Sequence, residues 1–536
     1  MHMRRTQFIL FAAVLLFAGC RPKQPAESTP STSSAAPHPA PVLPAIARVH
    51  WVGMNHLSRE TNAAHLMAVW NLPESRKLEQ QTLDKLSLAP WQWLHRATDT
   101  NAAALLRPLL DDVMSAQSCL EIQQATNQPG ELAFAIHLDG QHAALWQTNL
   151  ARVLESLTGI PPVPAPDGHF GWALKKHHDP NFLELTRVGD WTIIGAAHDH
   201  NGLLDDFKSR LQHGQSPVAA GNTDDWLAAE VDPALLVPRL TTLNFELSTL
   251  NRFYLSVTGD GTNVLVHGTA DFSQPLALDL KPWDIPADLI DERLASFTII
   301  RGFKPWLESS KAWNNLQIGP PPGQICFWAE QGLPNLSYFS APCSDASNQV
   351  DRLADLVMQK QHSWFPPNGL AKFERATEFN GLQWKGLPYM MPFLRSITVS
   401  NQNFIYGGGI PNAAVTPLSL KTLQVTLSQT NLVYHDWEIT GPRIEQWIFM
   451  GQFARYVSGK AQMPFESPGL LWLKAIAPKL GESVTDINQT GPSQLSFTRR
   501  SALGFTAVEL NLLADWLESP QFPVGLHTFL APPPPM

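Results

Sequence analysis

The chain has 536 residues, 44% of them apolar and 16% charged, with 38 Lys and Arg set against 47 Asp and Glu for a net charge of −9. At roughly 150 residues per domain this length allows about three domains or two large ones, and a charged fraction below the roughly 25% of an average soluble domain argues against a disordered body. The acidic balance and the absence of a Lys/Arg run in the body exclude the electrostatic footprint of nucleic-acid binding, so nucleic acid is not expected as a partner.

Residues 1–20 read MHMRRTQFILFAAVLLFAGC: Arg4 and Arg5, an apolar run from Phe8 to Phe17, then Ala18, Gly19 and Cys20. The run is shorter than the roughly 20 apolar residues that span a bilayer, and it has the flanks of a secretory signal. No later segment is long and apolar enough for a transmembrane helix. Ala18-Gly19-Cys20 resembles the lipobox of bacterial lipoproteins, although Phe17 stands where leucine is usual. The resemblance implies cleavage after a signal peptide at 1–19, lipidation of the Cys20 thiol and an anchor of more than one acyl chain, which makes membrane attachment durable. In that class Arg21, rather than Asp, after the cysteine implies export to the outer membrane, facing the periplasm. A cleaved signal peptide with an incidental cysteine is the plainer alternative. Arg4-Arg5 does not complete a twin-arginine signal, because Phe8 lies one place too far along.

Residues 21–44 hold seven prolines and six Ser or Thr. Such a segment cannot pack, and it reads with Cys20 as a lipidated tether at 20–44 with a maximum reach of about 75 Å at 3.1 Å per residue.

From 45 onward the order of elements recurs. Residues 47–53 (ARVHWVG) and 296–302 (SFTIIRG) each read as an apolar strand ending at glycine, followed by a segment with Trp70-Asn71 or Trp313-Asn314. Residues 131–138 and 336–341 read as strands, and 147–157 and 346–359 as helices, with Gly159 stopping the first. Meanders ending at 189–196 and 401–408 lead to helices at 203–211 and 418–427. WLAAEVD (226–232) and VYHDWE (433–438) read as strands entering helices opened by Pro233 and Pro442. Hairpins at 255–270 and 484–503 close the halves around Gly259-Asp260-Gly261 and Gly491-Pro492.

This pattern predicts an α+β fold of two tandem pseudo-repeats, each a mostly antiparallel sheet with packed helices. The repeats span 45–275 and 292–515, with a junction at 276–291, packed through Trp283 and Ile285, and a C-terminal tail at 516–536. In its order of strand, helix, meander, helix, strand and helix the body resembles a group of exported bacterial proteins with no established activity. That resemblance implies architecture and no residue roles.

Two groups of residues are candidates for ligand or metal binding. Glu230 and Asp232 in the first half, and Asp436 and Glu438 in the second, alternate along strands, and a period of two puts each pair on one face, as a divalent-cation or acid/base site requires. The plain reading is that Asp232 caps a helix and that Arg239 and Arg443 neutralise the acids. His177, His178, His198 and His200 fall near ends of neighbouring strands and suit zinc or copper, but the middle strand of the meander separates them by about 10 Å.

The 18 tryptophans suit glycan or partner contacts, yet most, such as Trp191, Trp226, Trp437, Trp447 and Trp516, occupy core-like positions. Of the cysteines beyond Cys20, Cys326 and Cys343 are placed to pair and Cys119 to stay buried. No CxxC, HExxH, GxSxG, Walker A, GxGxxG, EF-hand or SxxK motif occurs, and no cofactor is expected.

Two functions remain open on these residues. One is a lipid-anchored, non-catalytic envelope protein that binds an envelope protein partner or organises an assembly. The other is a glycan- or peptide-binding protein or hydrolase that uses a groove between the repeats.

Overall fold

The chain mixes helices with antiparallel strands, and the computed structural model describes residues 45–123, 130–175, 181–198, 202–213, 224–233, 249–334, 336–364, 372–387, 389–411, 416–419, 424–457, 467–519 and 522–523. Cys20, the signal segment and the tether lie outside the described residues. The chain divides into two compact units: Met1–Thr61, Glu79–Thr258 and Ser519–Met536 form one, and Asn62–Leu78 with Gly259–Glu518 the other.

The first unit holds strands β1 (Ala45–Trp51), β2 (Ser118–Gln123), β3 (Glu131–His137), β4 (Val163–Pro164), β5 (Trp172–Lys175), β6 (Asn181–Val188), β7 (Trp191–His198), β8 (Leu227–Val231) and β9 (Leu250–Gly259). Their order across the sheet is β9-β8-β1-β2-β3-β7-β6-β5-β4, with every pairing antiparallel. Helices α1 (Thr100–Ser115) and α2 (Gly140–Thr158) bury Leu106, Leu109, Trp146, Leu150 and Val153 with Ile122, Phe134 and Ile194 of the strands. Helix α3 (Gly202–Gln212) buries Leu203, Leu204 and Phe207 in a separate cluster with Cys119, Ala133, Ala135 and Ile193. The alternation of these residues along β2, β3 and β7 assigns the two clusters to opposite faces of the sheet. Helix α2 starts seven residues before the predicted 147, because Asp139 accepts from the His142 backbone N–H at 2.9 Å and sets the start earlier.

The second unit holds β10 (Val264–Phe272), β11 (Leu294–Arg301), β12 (Gln324–Glu330), β13 (Ser337–Pro342), β14 (Lys372–Arg375), β15 (Gly381–Lys385), β16 (Phe393–Val399), β17 (Gln402–Gly408), β18 (Leu432–Ile439), β19 (Glu482–Gly491) and β20 (Gln494–Ser501). Their order is β10-β20-β19-β18-β11-β12-β13-β17-β16-β15-β14, again antiparallel throughout. The compact units divide between Thr258 and Gly259, and β10 is zipped to β20 from Val264 opposite Ser501 to Asp271 opposite Gln494. The junction is packed, as its apolar residues predict: Trp283, Ile285 and Leu289 lie against the core of Phe297, Ile299, Trp328 and Tyr406.

Helix α4 (Ala346–Trp364) covers Ile405, and α5 (Thr440–Val457), α6 (Pro468–Ile476) and α7 (Ala507–Glu518) form a helical layer around Ile444, Trp472, Leu473, Ile476, Leu510 and Ala514. No helix among the described residues is long and apolar enough to cross a membrane.

The expected pairing of Cys326 with Cys343 does not occur, and Cys119, Cys326 and Cys343 are all free thiols. Cys326 belongs to the cluster of Phe297 and Trp328, whereas Cys343 packs with Ala346, Val350 and Ile405, so the strand pleat sends the two thiols to different faces. Burial raises the Cys119 thiol to about 12 and raises Cys326 and Cys343 as well.

Candidate functional site

Asp436 and Glu438 share one face of β18, as the period of two predicts, and both are buried, at 7% and 5% exposure. Asp436 stands opposite Thr298 of β11 and Thr485 of β19, and Glu438 opposite Ser296 and Ser483. A polar row therefore crosses three adjacent strands beneath the helical layer. The Thr298 hydroxyl donates to Asp436 Oδ1 at 2.5 Å, and the backbone N–H of Ala507, the first residue of α7, donates to Glu438 Oε1 at 2.6 Å.

The same helix end carries a capping box, Thr506-Ala507-Val508-Glu509. The Thr506 N–H donates to Glu509 Oε2 at 2.8 Å and the Glu509 N–H to Thr506 Oγ1 at 3.4 Å. Arg499 of β20 grips Glu509 with two bonds at 2.7 and 3.1 Å while its Nε donates to Thr485 at 2.9 Å. The first turn of an α-helix has four N–H groups without intrahelical partners. Glu438 and Glu509 serve that end of α7.

Burial dominates the electrostatics of the row. It pushes Glu438 up from its ordinary 4.5 to about 7, helped by repulsion from Asp436 and opposed by the Ala507 N–H and the charge of Arg443. Asp436 is raised for the same reason, and burial lowers Arg443 despite its attraction to both acids. A carboxyl near 7 suits proton transfer in principle. Here its partners are the Ala507 backbone amide and neighbouring side chains. The hydroxyls of Ser483 and Ser501 and the Nε of Arg443 have no partner among the described residues.

The acids of the first unit do not occupy the corresponding places. Register slips between Ala45 and Ala47 where β1 meets β2, and between Leu294 and Ser296 where β11 meets β12. Counted from these bulges, Ala47 corresponds to Ser296 and Val49 to Thr298. Val231 and Ala229, opposite Ala47 and Val49, then correspond to Glu438 and Asp436. Glu230, opposite Arg48, falls where Trp437 stands opposite Phe297, one residue out of phase and hence on the other face.

There Glu230 pairs with Arg252 at 2.7 Å and lies 4.0 Å from Arg48, beside a buried Glu121 held by Arg210 through two bonds of 3.0 Å. Asp232 lies beyond the end of β8, and its N–H donates to the Ile46 carbonyl at 2.7 Å. The two acid pairs, alike in sequence, are different devices.

His177, His178 and His200 lie outside the described residues, and His198 is the last residue of β7. Strand β6 separates β5 from β7, as expected. Among the described residues no group of three or more His, Cys, Asp or Glu side chains is placed to hold a metal ion.

Sequence reasoning missed Thr298, Arg499 and Glu509. The T-x-x-E box at 506–509 was a readable signal for the last of these. Comparison with protein-family models, with curated proteins and with solved structures returned no match.

Proposed function

We propose that this is an exported lipoprotein of the cell envelope, anchored through Cys20 to the periplasmic side of the outer membrane, whose duplicated body binds an envelope partner without transforming it. The leader and tether support the anchor. The observation that carries the non-catalytic reading is the 2.6 Å bond from the Ala507 N–H to Glu438, which commits the acid of most perturbed affinity for protons to a helix end.

Duplication is supported by the succession of strands: β8-β1-β2-β3-β7-β6-β5-β4 in one unit and β18-β11-β12-β13-β17-β16-β15-β14 in the other have the same connectivity. Local detail agrees with it. Gly53 and Gly302, each after the first strand of its unit, have φ of 87° and 86°. A Cβ on Gly171 or Gly381 would sit 2.0 Å from the carbonyl oxygen of Leu185 or Leu394, at matching points of the two meanders. Cys119 and Cys326 hold the same ladder position, opposite His50 and Ile299.

The test is metabolic labelling with a palmitate analogue, membrane fractionation, and cross-linking in intact cells for the native chain and Cys20→Ala. We expect acyl label and outer-membrane recovery only for the native chain, together with a discrete cross-linked protein. An unlabelled native chain overturns the anchor. A labelled chain without a partner, or a hydrolytic activity abolished by Glu438→Gln, overturns the binding role.

A further inference from the structure

A second place in the fold has chemistry that the acid row does not use. Arg301, the last residue of β11, is 3% exposed, and its hydrogen-bond partners among the described residues are main-chain carbonyls. Its Nε donates to Leu432 at 2.8 Å, Nη1 to Lys281 at 2.5 Å, and Nη2 to Gln429 and Thr430 at 3.0 and 2.9 Å. The guanidinium has five N–H donors, so the second hydrogen of Nη1 has no acceptor among the described residues.

Among the described residues no carboxylate pairs with it, and burial lowers its affinity for the proton. A buried cation without a counter-ion is costly. The fold does not require one here: counted from the β-bulge, the corresponding residue of the first unit is Val52.

Arg301 lines a cleft of about 580 Å³, within the size range of small-ligand sites. The walls combine Trp283, Ile285, Phe404 and Leu427 with Gln402 and Ser428. The Trp283 ring lies 4.3 Å from the guanidinium carbon and fixes its plane.

We infer that this cleft binds a small organic monocarboxylate with an apolar tail, its carboxylate facing Arg301 and its tail against Trp283, Ile285 and Phe404. A single unpaired cation matches a single negative charge, and the Asp284 side of the cleft opposes a doubly charged phosphate. The site is independent of the anchor and of any protein partner.

The test is calorimetric titration of the full chain in detergent with hexanoate, hexanol and inorganic phosphate, repeated on Arg301→Gln and Gln402→Trp. Gln402 is exposed at the start of β17, so tryptophan there fills the mouth and leaves the carbonyl clamp intact. We expect hexanoate to bind at least tenfold more tightly than hexanol or phosphate, and both variants to lose it. Gln402→Trp should keep the native melting temperature, which preserves the test if Arg301→Gln fails to fold. Absence of hexanoate binding, equal binding of hexanol or phosphate, or full hexanoate binding by Gln402→Trp overturns the assignment.

Discussion

Replacing Glu438 by glutamine tests whether burial or ion pairing governs the acid row. An acid whose folded value lies above its unfolded one binds a proton more tightly when folded, so the fold loses stability as pH rises between the two values. For Glu438 the window runs from 4.5 to about 7. A shift of that size corresponds to about 3 kcal/mol, fully lost above the upper value. Glutamine keeps the oxygen that accepts from Ala507 and cannot ionise. We therefore expect Glu438→Gln to match the native chain near pH 4.5 and to exceed it by up to about 3 kcal/mol at pH 8, with a flatter profile between. Asp436, also raised, leaves a residual slope of the same sign. Urea unfolding at several pH values gives the free energies, and hydrogen exchange of the peptide at 505–518 reports the Ala507 amide directly. A variant less stable than the native chain at pH 8 would mean that an ionised Glu438 is held by Arg443, and would refute the dominance of burial. An unchanged slope would refute the raised affinity itself.

Three further outcomes are expected. Thr506→Ala removes a cap from α7 and should cost about 0.5–2 kcal/mol by denaturant unfolding, with the loss localised to 505–518 in hydrogen exchange. Gly381→Ala places a methyl group 2.0 Å from the Leu394 carbonyl oxygen, so β15 and β16 must part, and overpacking of this kind costs about 1–3 kcal/mol in thermal or chemical melts. Thiol titration should find Cys343, half-buried, reacting before Cys119 and Cys326, and all three reactive once the chain is unfolded without reductant. A thiol count that rises only on reduction would contradict the two-face placement of Cys326 and Cys343.

What the sequence made legible was periodic. Alternation along VYHDWE placed Asp436 and Glu438 on one face, apolar residues in the junction predicted its packing, and turn residues marked the hairpin between β19 and β20. What it hid was phase. WLAAEVD and VYHDWE look alike when read as strings, yet the bulge before Ala47 and the bulge before Ser296 fix a register in which Glu230 matches Trp437. A one-residue slip reverses the face, and nothing in residue identity records it. Cys326 and Cys343 failed for the same reason, since proximity in sequence says nothing of the face. Arg301 was invisible for a different one: its acceptors are carbonyls, which every residue has, so no side-chain pattern announces the clamp.

Strands of matching connectivity in the two units carry different side chains. Ala47, Val49, Ala229, Val231, Phe253 and Leu255 are apolar in the first unit where Ser296, Thr298, Asp436, Glu438, Ser483 and Thr485 are polar in the second. In the first unit Ala47, with Val49 and Val231 packed alongside, joins an apolar cluster that includes Leu106 and Leu109 of α1 and Leu150 and Val153 of α2. In the second, the chain beyond β20 turns into α7 and brings the Ala507 N–H of its N-terminus onto Glu438 of β18. An apolar residue in place of Glu438 would leave that donor buried and unsatisfied, at about 1–3 kcal/mol. The acid at 438 thus answers the helix it receives, while Asp436 and Thr485 are held by Thr298 and Arg499 of the strands. Arg301 has no comparable cause, because carbonyl dipoles take four of its five hydrogens without neutralising its charge, and at the matching strand end of the first unit stands Val52. A buried charge at the wall of a cleft, its hydrogens met by dipoles and not by an acid among the described residues, is what the carboxylate proposed above would neutralise.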